Sequence, residues 1–189
     1  MQTALLVTTS QSAADQFAVT LRQMDFSLIS RAQSAGEARR TLAVSEFDLI
    51  VVSGPLPDEP GDKLAVSVSE NLRGEVIFIV PESDFTQAAE KLARFGVITV
   101  AKPLSRSMFW TAVTMAEASR ARFNMMRREN EKLQQKIEDI KLIDRAKCIL
   151  IARMRMSEPE AHKYIEKQAM DMRTTRRDIA NGIIRSMQS

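Results

Sequence analysis

The sequence predicts an α/β fold class: a five-stranded parallel, doubly wound domain, followed by a long coiled-coil helix and a small all-α module of three short helices. Three observations predict it. Short runs of strand character alternate with segments of helical spacing over the first hundred residues, and from Ser107 no Pro or Gly interrupts the chain until Pro159. The charge also divides, with 9 Lys/Arg and 13 Asp/Glu in residues 1–104 against 18 and 11 in residues 105–189.

The strand runs are ALLVT (4–8), FSLIS (26–30), LIVVS (49–53), VIFIV (76–80) and VITV (97–100). Strands this continuously apolar need cover on both faces, which a parallel sheet between helices supplies. In the first intervening segment Ala14, Phe17, Ala18 and Leu21 fall at i, i+3, i+4 and i+7, an apolar stripe on one helix face. In such sheets a site forms at the carboxyl ends of the strands, so Thr8, Thr9, Ser53, Val80 and Lys102 are expected to converge there.

Composition narrows the class. With 189 residues and 44% hydrophobic content the chain can bury a core, and no run reaches the roughly 18 uncharged apolar residues a membrane span needs. The start MQTALLVTTS lacks the features of a signal peptide, so a cytoplasmic location and no membrane partner are expected. One cysteine, Cys148, and one histidine, His162, rule out an internal disulfide and give no zinc spacing, so neither metal nor cofactor is expected. There is no Gly-rich phosphate loop and no nucleophile paired with a base, which argues against an enzyme.

The stretch LIVVSGPLPDEPG, with Pro57 and Gly61 after the third strand, and the Lys102-Pro103 pair in VAKPLS, resemble a response-regulator receiver domain over about the first hundred residues. The reactive positions differ from that family. Thr8 and Thr9 stand where receivers carry the acidic pair that holds magnesium, Ser53 stands at the phospho-accepting aspartate, and Val80 replaces a hydroxyl. Magnesium is a hard ion that takes carboxylate oxygens, and phosphoryl transfer relies on the metal and a lysine to offset charge. Residues 1–106 therefore read as a pseudo-receiver whose degenerate phosphorylation site is Thr8, Thr9, Ser53, Val80 and Lys102. Lys102 alone either pairs with an anion or bonds a loop carbonyl.

Residues 107–141 read as a coiled-coil linker helix. Phe123, Met126, Asn130, Leu133, Ile137 and Ile140 alternate by three and four, an a/d seam in which Asn130 is the polar a residue that fixes register in parallel two-stranded coils. Extended backwards, the seam meets the small residues Ala116 and Ser119. The flanking pairs Arg122 with Arg127 and Lys136 with Lys141 repel, while Glu129 faces Gln134. A homodimer through this seam and packing of the stripe on the chain's own domains are the two readings.

Residues 142–189 begin with the end of the long helix. Ser157-Glu158-Pro159-Glu160 forms a capping box for a second helix carrying Ala161, Tyr164, Ile165, Gln168 and Ala169, and Thr175 with Asp178 suggests a third with Ile179, Ile183 and Ile184 buried. The run LIDRAKCIL, with SEPEA and QAM at their distances, resembles an ANTAR domain, the RNA-binding module of AmiR- and NasR-type transcription antiterminators. Its matching residues are Ile143, Asp144, Ala146, Lys147, Leu150, Ser157, Glu158, Glu160, Ala161, Tyr164, Ala169, Met170, Ile179, Ala180 and Ile184. The family usually has glycine at the position of Cys148.

That resemblance implies a dimer that holds two small stem-loops of nascent leader mRNA and so prevents a terminator hairpin. RNA loops expose bases for stacking, and cations contact phosphates. Lys147, Lys167, Arg173, Arg176 and Arg177 are the expected phosphate or loop contacts. Tyr164, the only tyrosine, either stacks a base or sits half-buried on its helix. With the phosphorylation chemistry missing, control by a partner protein or ligand is expected, such as a sensor protein docking on the pseudo-receiver, and constitutive dimerisation is the competing reading. The alternative is a DNA-binding, response-regulator-like transcription factor, although nothing marks helix-turn-helix spacing.

Overall fold

The computed structural model describes residues 2–71 and 74–186. The elements are β1 (Gln2–Val7), α1 (Gln11–Arg22), β2 (Phe26–Ala32), α2 (Ala35–Val44), β3 (Leu49–Ser53), α3 (Asp62–Glu70), β4 (Glu75–Pro81), α4 (Phe85–Ala93), β5 (Ile98–Lys102), α5 (Arg106–Met154), α6 (Glu158–Asp171) and α7 (Arg176–Ser186). The chain divides into two compact units, Met1–Asn124 and Met125–Ser189, and α5 contributes residues to both.

In the first unit all five strands are parallel in the order β2-β1-β3-β4-β5. Successive side chains of a strand point to opposite faces, so an apolar run feeds two cores at once. Leu5, Val7, Ile50, Val52, Phe78 and Val80 pack under α2, α3 and α4, with Ala38, Leu42, Leu64 and Leu92. Ala4, Leu6, Leu49, Val51, Ile77 and Ile79 face the other way, onto Ala18 and Leu21 of α1 and Phe109, Ala112, Val113 and Ala116 of α5. Each fully buried Leu, Ile or Phe contributes about 1.5–3 kcal/mol, which sets the sheet's register. The edge strand β2 departs from this, with Leu28 57% exposed.

The stripe on α1 is as expected, with Ala14, Ala18 and Leu21 buried and the partly buried Phe17 ring 4.6 Å from Phe109. Where the seam is extended backwards, Ala116 lies in the first unit's core at 1% exposure, while Ser119 is exposed. From Phe123 onward the stripe is bare: Phe123, Met126, Leu133, Ile137 and Ile140 are 42–70% exposed, and Asn130 is exposed with them.

Candidate functional site

The parallel strands bring their carboxyl ends to one edge, where Thr8 follows β1, Ser53 ends β3, Val80 lies one residue before the end of β4 and Lys102 closes β5. Thr8 and Ser53 are buried, Thr9 is exposed, and Val80 is turned into the core. The Thr8 hydroxyl accepts the Ser10 N–H at 3.3 Å, which opens the turn into α1. Lys102 reaches across the edge, and its Nζ donates to the Gly54 carbonyl at 2.6 Å. Burial pushes the Lys102 amine below its ordinary range. Of the two roles open to this lysine, the loop carbonyl is the one it fills.

The acidic residues that follow Ser53 hold the loop. The Asp58 carboxylate accepts Ala35 N–H at 2.9 Å and Gly36 N–H at 2.8 Å, capping α2, and these bonds hold its pKa below the usual carboxylate range. Glu59 accepts Leu64 N–H at 3.1 Å and pairs with Arg39 at 2.9 Å, while Asp62 pairs with Lys91 at 2.6 Å. Gly54 donates to the Ile79 carbonyl at 2.9 Å, and a Cβ there would meet the Pro60 carbonyl at 2.6 Å, so only glycine fits. No three His, Cys, Asp or Glu side chains are grouped to hold a metal ion among the described residues.

The second unit is three helix segments around Ala146 and Leu150 of α5, Ala161 and Ile165 of α6, and Ala180 and Ile184 of α7. Small residues at 146, 161 and 180 allow the helices to approach closely. On α7 the centre is Ala180 with the expected Ile184, while the expected Ile179 and Ile183, one residue earlier in helical phase, are only partly buried flanks. The α6 box forms, with Glu160 accepting the Ser157 N–H at 2.8 Å and its hydroxyl at 2.7 Å. At α7 the Thr175 hydroxyl accepts the Asp178 N–H at 3.1 Å and donates to the Asp178 carboxylate at 2.5 Å. Cys148 is exposed, so its thiol does not intrude on the helix contacts of this unit.

The basic residues of this unit fall into two sets. Lys147, only 16% exposed, pairs with Asp144 at 2.8 Å and Glu158 at 2.9 Å, and these carboxylates raise its pKa. Arg176 bonds Glu166 at 3.1 Å, and Arg177 bonds Asp139 at 2.7 Å. Arg145, Arg153, Arg155, Lys163, Lys167, Arg173 and Arg185 are exposed and make no ion pair among the described residues. Of the expected contacts only Lys167 and Arg173 are in that free set. The structure adds Arg145, Arg153, Lys163 and Arg185, for which the only sequence signal is their helical phase away from the core, and Arg155, which lies between α5 and α6. Tyr164 is partly buried against the core. Met170 is 79% exposed on the same α6 face as Lys163 and Lys167.

No helix among the described residues is long and apolar enough to cross a membrane. Comparison with known proteins follows the division into units. The ANTAR domain family model matches residues 131–184. The Transcriptional regulatory protein PdtaR of Mycobacterium tuberculosis is 24% identical over 169 residues, covering 88% of this chain and 82% of PdtaR. Among solved structures, chemotaxis response regulator CheY4 of Vibrio cholerae aligns with a TM-score of 0.54 at 17% identity, over 61% of this chain and 98% of CheY4. The non-phosphorylated HemR receiver domain from Leptospira biflexa gives 0.54 at 20% identity, over 61% and 94%. At these identities the structural likeness establishes the fold of the first unit. The chain therefore joins a first unit of receiver-like fold to a region, residues 131–184, that matches the ANTAR domain model.

Proposed function

We propose that this protein is a transcription antitermination regulator that binds paired stem-loops in nascent leader mRNA as a homodimer. The observation that carries the reading is the ANTAR match over a three-helix unit whose framework residues are satisfied internally while seven cations stay free. Lys167 and Arg173 are the expected contacts that keep their charge available, and Tyr164 is partly buried against the core. Lys147, Arg176 and Arg177 act first as internal ties. In functional terms residues 1–106 are the receiver-like control domain, 107–141 the dimerising coil and 142–189 the RNA-binding domain.

The seam supports the dimer. Five large apolar side chains at a and d positions are exposed over residues 123–140 of a single chain, the pattern that a second copy covers in a parallel coil. The receiver-fold unit is not phosphorylated by the aspartate mechanism, since its site offers Ser53, Thr8 and Thr9 and its lysine is bound to Gly54. Control then comes from a sensor protein that binds one state of this unit better than another.

The test is binding of the full chain to a two-hairpin leader RNA with hexanucleotide loops, compared with a loop-scrambled RNA and duplex DNA across a salt series. Loop-dependent binding supports the reading. Equal affinity for both RNAs, or preference for duplex DNA, sinks it.

A further inference from the structure

Three non-glycine residues among those described have left-handed backbones: Asp25 (φ 64°), Arg155 (φ 55°) and Arg173 (φ 50°). Aspartate enters this region with the help of local hydrogen bonds, and arginine has no such compensation. Where a helix ends in a left-handed corner, glycine is the usual residue. Arg155 stands at the corner between α5 and α6, and Arg173 at the corner between α6 and α7. Both are exposed, and neither side chain forms an ion pair among the described residues. Each thus costs stability at its own position and returns no contact within the chain, the pattern of a residue retained for an outside partner.

A cation near a helix carboxyl terminus also favours the helix dipole. For Arg173 that account stands beside the other, because α6 has no basic residue in its last turn. For Arg155 it is redundant, because α5 already carries Arg153 there. Between the two corners the exposed face of α6 displays Lys163 and Lys167, four residues apart and unpaired.

We infer that Arg155 is a phosphate-contact residue for bound RNA, held at the α5–α6 corner at a cost to the backbone, and that with Lys163, Lys167 and Arg173 it forms a cationic strip along α6. The inference rests on the RNA-binding reading above. It adds a contact at a position that a purely structural module would give to glycine.

The experiment compares the full chain with Arg155→Gly and Arg155→Lys for thermal unfolding and for affinity to the two-hairpin RNA over a salt series. Arg155→Gly relieves the strained corner, so its Tm is expected to rise by about 3 °C. Its RNA affinity is expected to fall about fivefold near 0.1 M salt, with a salt slope shallower by about one phosphate contact. Arg155→Lys, which keeps the charge, stays within about twofold of the parent. If Arg155→Gly binds as tightly as the parent with the same slope, or melts earlier, the inference is overturned. A parent chain that itself shows no loop-dependent binding would instead overturn the RNA-binding reading.

Discussion

Around Ser53 the charged side chains are taken up within the first unit: Lys102 by the Gly54 carbonyl, Asp58 by the start of α2, Glu59 by Arg39 and Asp62 by Lys91. The ANTAR unit divides its charge differently. Of the ten Lys and Arg in residues 144–189, three are tied to carboxylates and seven face solvent. A charge satisfied inside the chain shapes a backbone, whereas a free one is available to a partner. Lys102, for which an anion and a loop carbonyl were both open, and Lys167, expected to contact RNA, end on opposite sides of that line.

The largest effect is expected at the seam. Ile137→Asp places a charge among exposed apolar seam positions and should weaken self-association by about a hundredfold, or roughly 2.7 kcal/mol. Sedimentation equilibrium reads this directly, and an undiminished dimer would show that the stripe is covered by something else. Next in size is the contrast between free and tied cations. Replacing Lys163 and Lys167 together by Gln should lower RNA affinity about tenfold and flatten the salt dependence. Lys147→Gln should leave affinity within about twofold and destabilise the ANTAR unit by about 0.5–1 kcal/mol through its lost pairs. If the two variants behave alike in the binding titration, the division into tied and free sets has no functional meaning.

A smaller effect is expected in the receiver-fold unit. Lys102→Met removes the donor to Gly54 and should cost about 1 kcal/mol in urea unfolding of that unit while RNA affinity is unchanged. Incubation with acetyl phosphate and magnesium should leave Ser53 unlabelled, and label there would restore a phosphorylation role.

The smallest effect is pH dependence. Burial pushes the Asp48 carboxyl up, but hydrogen bonds from Arg120 and Thr3 outweigh it and hold the group below its ordinary value of 3.8; Asp62 is held low by Lys91. Groups lowered in the folded state contribute stability that is complete above their unfolded values and is lost as pH falls through the folded ones. Glu75, raised by burial, works the other way, since its protonation favours the folded state. The urea midpoint of the first unit should therefore fall as pH is lowered from about 5 towards 2. A midpoint that rises over that interval would show that Glu75 dominates.

The strands were legible because each central one is an uninterrupted apolar run serving two cores, and β3 occupies the residues its LIVVS run suggests. The capping boxes were legible because their partners lie three residues apart. The fate of individual charges was not. Arg177 meets Asp139 across 38 residues and Lys147 meets Glu158 across 11, distances over which no periodicity in the sequence speaks. The Asp144–Lys147 pair, at i,i+3, is the exception that spacing alone suggests. The left-handed corner at Arg155 was illegible for another reason, since arginine is the wrong residue to announce it.

Cys148 carries a practical consequence. It is the only thiol in the chain, and it is exposed on α5 within the ANTAR unit. A maleimide spin label will therefore attach at one position of the native sequence, without removal of any other cysteine. If the chain pairs as proposed, the two labels of a symmetric dimer report a single distance, and a change in it on adding RNA would test the proposed binding directly.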